Sequence, residues 1–166
     1  KVGGATETEI EEKKYRVDDA VAATKAALAE GIVPGGGVTL VNLAKTIKVS
    51  GADSDAAGRG ILKAALYEPF RQITRNAGLN ADALLSQVES AKDGKGVNVN
   101  TPEKGLVDVK SAGVVDPVMV TKEAIQNAVS IAGTAMTMGA LVVEIPEKEA
   151  PAAPAPGGGM PGMGMM

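Results

Sequence analysis

Several short groups of residues have the types and spacing to handle a phosphorylated ligand. Gly35-Gly36-Gly37 stand immediately before an apolar periodic segment. Glycines let a backbone come close to a ligand, and a helix N-terminus behind them offers free amides and the positive end of a dipole to an anion. No Lys-Ser/Thr pair follows, so this is not a Walker loop. Asp18-Asp19 fall within a helical pattern, where adjacent residues point in different directions. Asp18 lies toward the edge of the stripe that holds Val17, and Asp19 lies with Tyr15, Ala22 and Ala23. A carboxylate there can orient a water for attack on a phosphate, a reaction in which positioning supplies most of the catalysis. Asn98 offers an amide that can read a purine edge, and Asp116 a carboxylate that can accept from ribose hydroxyls. Each group also has a plainer reading: a turn between helices, a solvated helix face, a hairpin turn residue and an N-cap, respectively. Taken singly, none of these signals decides between the two.

Composition narrows the chemistry. The 166 residues contain neither cysteine nor histidine, which removes disulfides, thiolate nucleophiles, imidazole bases and ordinary zinc sites. Carboxylates, lysines, hydroxyls and backbone amides must do any work. A net charge of −3 advertises no phosphate-backbone partner, and the three aromatics (Tyr15, Tyr67, Phe70) provide few platforms for stacking bases. Nucleic acid is therefore not an expected partner. The N-terminus reads as no signal peptide, and the absence of an initiator Met suggests a fragment or a processed piece. The one candidate membrane span, Ala124 to Val143, carries Gln126, Asn127, Ser130, Thr134 and Thr137. It reads better as a buried, central helix running into a strand, so no membrane partner is expected and a soluble, reducing compartment is.

The elements that must position these groups are mainly helical. Thr6 and Glu9 fit a capping box ahead of a helix from Glu7 to about Ala29, which Gly31 ends. Ile10, Val17, Val21 and Leu28 form its apolar stripe, with Glu9–Lys13 and Glu12–Arg16 as four-residue ion pairs. A second helix follows the glycines, with Leu40, Leu43, Ala44 and Ile47 on one face. A third runs from Asp55 to Asn76 with Pro69 kinking or splitting it, and Asn80 caps a short fourth through Ser90. Val97–Asn100 and Leu106–Lys110 predict a small β-hairpin. Asp116-Pro117 predicts the start of a last helix to about Met138, and Ala140 to Ile145 a strand. Beyond Pro146 the chain is rich in Pro, Ala, Gly and Met and is expected to be a disordered tail.

The order of these motifs carries a resemblance. Lys14-Tyr15-Arg16-Val17-Asp18-Asp19-Ala20 through Gly31-Ile32-Val33-Pro34-Gly35-Gly36-Gly37 closely resembles the group I (GroEL-type) chaperonin segment leading from the intermediate into the equatorial domain. Glu68-Pro69-Phe70-Arg71-Gln72-Ile73, Asn76-Ala77-Gly78, Gly96-Val97-Asn98 and Gly113-Val114-Val115-Asp116-Pro117 are similar to the same family, as is the Gly-Met tail. The likeness is collinear over essentially the whole chain. It departs from the family at Val97, where an aromatic is usual, and at Val99 and Asn100, where small residues are. The hairpin's return to Asp116 is also about two residues longer.

The resemblance implies an equatorial-domain-like fold with one intermediate-domain helix. Residues 1–30 would close the intermediate domain, 31–146 form the C-terminal part of the equatorial domain, and 147–166 make the tail. It implies that Asp19 positions the attacking water on ATP, that Gly36 lies in the loop at the nucleotide, that Asn98, Val99 and Asn100 sit at the adenine side and that Asp116 meets the ribose. It further implies Mg2+ with its ligands mostly outside this chain, homo-oligomeric heptameric rings, unfolded client proteins, a co-chaperonin and a cytoplasmic setting. Without the resemblance, a non-enzymatic helical scaffold and a membrane-anchored protein remain open.

Overall fold

A computed structural model describes residues 1–145. The expected tail from 147 onward lies outside the described residues. The order of elements is α1 (Glu7–Glu30), β1 (Ile32–Pro34), α2 (Val38–Thr46), α3 (Ser54–Asn76), α4 (Ala81–Ser90), β2 (Lys95–Val97), a short 3-10 turn (Pro102–Lys104), β3 (Leu106–Asp108), β4 (Val115–Pro117) and α5 (Val118–Met136). The mainly helical class and the hairpin agree with the sequence.

The helix starts follow local chemistry. Thr6 Oγ1 accepts from Glu9 N at 3.2 Å, while the Glu9 carboxylate reaches back to Ala5 N at 2.8 Å, one residue beyond the usual capping-box partner. The Glu9–Lys13 pair forms at 2.7 Å and the Glu12–Arg16 pair at 3.8 Å. Asp53, two residues ahead of the expected start, caps α3 by accepting from Ala56 N at 2.9 Å, and Asn80 caps α4 through Ala83 N at 3.1 Å. Pro69 does not split α3, which runs unbroken past it to Asn76.

The core is aliphatic around one ring. Val38 and Val41 of α2, Phe70 of α3, Leu85 and Val88 of α4, and Val109 after β3 are buried together, with Tyr67, Leu84, Leu106, Val107 and Val114 packed on them. Lys45 ties the end of α2 to the end of α4 by donating to the Ala91 carbonyl at 3.0 Å. Arg71 does the same for α3 and α4 through Asp82 at 2.9 Å.

Three expectations fail on long-range grounds. Asp116 does not cap the last helix: Asp116 and Pro117 lie in β4, antiparallel to β1 with Val33 opposite Asp116 and Ile32 opposite Pro117, and Pro117 takes the N-cap position. A partner more than eighty residues back in the chain claims these residues, and α5 begins only at Val118. Val118 N donates to the Gly31 carbonyl at 3.1 Å, and Lys122 reaches Glu30 at 2.7 Å, so the start of α5 is bound to the end of α1. Second, α5 is not central: none of its residues is buried, and Val120, Val129, Ile131 and Met136 are largely exposed. Third, residues 140–145 form no strand; Leu141, Val142, Val143 and Ile145 lie open to solvent without a ladder partner.

The hairpin is shorter than expected. β2 and β3 pair as Lys95 with Asp108, Gly96 with Val107 and Val97 with Leu106. Asn98, Val99 and Asn100 therefore belong to the connecting loop rather than to a strand. Among the described residues no helix is long and apolar enough to cross a membrane.

Candidate functional site

The glycine run is held from both sides by backbone contact. A Cβ on Gly35 would meet the Val115 backbone at 2.9 Å, and one on Gly37 would meet the Phe70 Cα at 2.8 Å. These two positions therefore require glycine for close approach, and both are buried. Gly35 N also donates to the Val114 carbonyl at 3.0 Å, which docks the loop onto the residues leading into β4. Gly36 differs. It has φ of +65°, a half-buried position, and only Val114 Cγ1, at 3.6 Å, near a would-be Cβ. It is the loop residue whose neighbouring space protein leaves open.

Behind the loop, α2 starts without a side-chain cap, at Gly37. Val38 N turns back to the Gly35 carbonyl at 3.2 Å and Leu40 N to the Gly37 carbonyl at 3.1 Å. Among the described residues the amides of Gly36, Gly37 and Thr39 find no carbonyl outside the helix, so this end of α2 presents the donors and dipole that an anion takes.

The hairpin reaches the same place through the core. Gly96 lies so close over the Val38 side chain, with Val109 Cγ1 2.9 Å from its would-be Cβ, that no larger residue fits. Asn98 follows two residues later. Its side-chain oxygen accepts from Asn100 N at 3.0 Å and its carbonyl accepts from Thr101 N at 2.9 Å. This turn occupies the oxygen of the carboxamide and leaves the NH2 without a partner among the described residues, a donor turned to no other use. Val99 is half-buried beside it and Asn100 is exposed.

Asp116 sits in β4, two residues beyond the Val114 contact with the glycine loop. It is partly buried, and among the described residues no cation or hydrogen-bond donor faces its carboxylate. Loss of water alone raises its pKa above the ordinary aspartate value. A carboxylate desolvated without a partner is an acceptor waiting for a donor.

The structure thus sets Gly36 against Val114 and the base of the hairpin, at Gly96, against Val38 and Val109, three valines of one core, with Asp116 two residues past Val114 in β4. It leaves Asp19 apart. That residue is exposed on α1, eleven positions before Glu30, which is about 16 Å along the helix axis at the usual rise. Among the described residues no group of three acidic side chains gathers closely enough to hold a metal ion.

Sequence reasoning passed over Thr39, whose hydroxyl spans the glycine loop, and read the triple glycine as one unit although its members do different things. The Thr39 contact has no spacing signature, and the steric demand on Gly35 and Gly37 comes from residues far along the chain.

Comparison with known proteins identifies the family of this fold. A crystal structure of a group III chaperonin in the open state superposes with a TM-score of 0.72 at 26% identity, over 85% of this chain and 30% of that one. The chain therefore spans about a third of the length of the protein it matches. The family model of the TCP-1/cpn60 chaperonins matches residues 1–146, so the helices, the glycine loop, the hairpin and β4 all lie inside one family pattern, and this chain belongs to the TCP-1/cpn60 chaperonin family.

Proposed function

We propose that this chain is part of the subunit of a group I chaperonin, an ATP-driven chaperone that assists folding in a ring-shaped cavity, and that it carries half of the ATP site. The observation that carries the reading is the local one: Gly36 is left open between two sterically locked glycines that dock on the residues leading into β4, the strand that holds the partly buried Asp116. Phosphate oxygens fit the free amides at the start of α2. The Asn98 carboxamide, with Val99 and Asn100, fits the adenine side, and Asp116 fits the ribose hydroxyls.

Asp19 has the chemistry to orient the attacking water, but only after α1 moves. A helix with no buried residue, held at its C-terminal end by Lys122 and the Gly31–Val118 bond, suits a latch of that kind. Mg2+ would be held mainly by residues outside this chain, given that no acidic cluster forms among those described.

The wider reading keeps the same division. Residues 1–30 belong to an intermediate domain and 31–146 to an equatorial one. The exposed face of α5 and an apolar cleft of about 700 Å3 between α3 and α5, lined by Leu62, Pro69, Ile125 and Val129, are seats for the remainder of the subunit. Homo-oligomeric rings, with seven subunits each, cytoplasmic location, unfolded clients and a co-chaperonin follow from the group I assignment.

The test is a nucleotide titration and a steady-state ATPase assay on the full-length subunit and its Asp19→Ala variant. Wild type should bind and hydrolyse ATP, and the variant should bind nearly as well while turning over roughly tenfold or more slowly, because water orientation acts in the transition state. Equal turnover would remove Asp19 from the mechanism. No nucleotide binding by the wild type would leave a non-enzymatic helical scaffold.

A further inference from the structure

The Thr39 hydroxyl donates to the Pro34 carbonyl at 2.6 Å, across the five-residue step that contains all three glycines. Pro34 ends β1 and stands opposite Val115 of β4, while Thr39 lies in the first turn of α2. The contact is partly buried, so water competes poorly for either group. The side contacts of the loop act on its flanks, Gly35 on Val114 and Val115 and Gly37 on Phe70, and the Val38 N bond to the Gly35 carbonyl closes the tight turn around Gly36 and Gly37. Gly36 has no contact of its own beyond that turn and Val114, and as a glycine it has access to left-handed and right-handed backbone alike. The Thr39–Pro34 bond closes the loop at its base and so fixes how far apart the end of β1 and the first turn of α2 can stand.

We propose that Thr39 is a positioning residue for the nucleotide site, holding the glycine loop in the conformation that presents its amides to phosphate. This rests on the nucleotide-binding reading above. A loop already held in its bound shape loses less conformational freedom when a ligand arrives, and affinity gains by that difference. The hydroxyl does this without touching the ligand.

Three variants of the full-length subunit test the inference by calorimetric titration of ATP and ADP. Thr39→Val keeps the branched shape and removes the donor; Thr39→Ser keeps the donor. Thr46→Val is the control, because Thr46 makes an equivalent hydroxyl-to-carbonyl bond, to Leu43 at 2.7 Å, at the far end of the same helix. The expected result is about five- to tenfold weaker binding for Thr39→Val, the size of one net hydrogen bond. Thr39→Ser and Thr46→Val should bind like wild type. Equal affinity for Thr39→Val overturns the proposal, and so does an equal loss in Thr39→Val and Thr46→Val, which would mark general weakening of α2. Failure of Thr39→Ser to restore affinity also overturns it. Wild-type protein that binds no nucleotide would overturn the site assignment as a whole, an outcome distinct from these. Should Thr39→Val fold poorly, Thr39→Ala takes its place in the same titrations, and wild-type affinity in Thr39→Ala refutes the clamp.

Discussion

Two carboxylates show how residue type and residue environment divide the information. Asp116 is partly desolvated and has no partner among the described residues, and its pKa is raised by that loss of water. The sign of the consequence is fixed. A raised folded-state pKa gives a stability contribution that is present below the unfolded-state value and is lost as pH rises through the folded one. Holding Asp116 charged at neutral pH therefore costs the fold something. Asp116→Asn, which mimics the neutral form, should unfold at the same or a higher temperature than wild type without ligand, yet bind nucleotide roughly tenfold or more weakly through loss of a charge-assisted bond. Paired melting curves and titrations check this, and a lower melting temperature with full affinity would make Asp116 a structural residue. Asp19 has no comparable environment: it is solvent-exposed, and the role proposed for it depends on a movement of α1.

At the scale of elements, the helices were legible and the contacts between distant segments were not. Thr6, Asn80 and the Glu9–Lys13 pair announce themselves through residues three or four positions away, and local pattern captures them. Asp116-Pro117 has the local pattern of a helix start, but β1, far back in the chain, competes for it and wins. The same limit applies to α5. Its apolar character called for burial, and the faces that would bury it are not supplied by the described residues. The candidate site was legible in its members and not in its construction: the glycine run was visible, whereas the reasons Gly35 and Gly37 must be glycine lie at Val115 and Phe70.

Gly96 makes this testable, since it docks the hairpin on α2 through Val38. Gly96→Ala should destabilise the full-length protein by about 1–3 kcal/mol through overpacking. Val38→Ala in the same chain should recover part of that loss by opening space, and strict additivity of the two changes in urea unfolding would deny the contact.

For the whole molecule, the chain accounts for about a third of the chaperonin it matches, and its surface reads accordingly. The cleft between α3 and α5, the outer side of α5 and the Leu141–Ile145 segment expose apolar surface, which fits the proposal that the remainder of a subunit covers them. The 166-residue chain alone should therefore neither hydrolyse ATP at a measurable rate nor form stable rings, as phosphate release and light scattering would report. Magnesium-dependent turnover at the full-length rate would contradict this.

If the glycine loop, the 98–100 loop and β4 build one nucleotide site, a base-directed probe must attach to the hairpin loop. Photolabelling of the full-length protein with an azido-adenine ATP analogue, followed by peptide mapping, addresses it most directly. Label is expected within residues 95–101, suppressed by excess ATP and weakened in Asp116→Asn. ATP-protected label confined to segments outside 31–117, or no protected label in a protein that hydrolyses ATP, would contradict it.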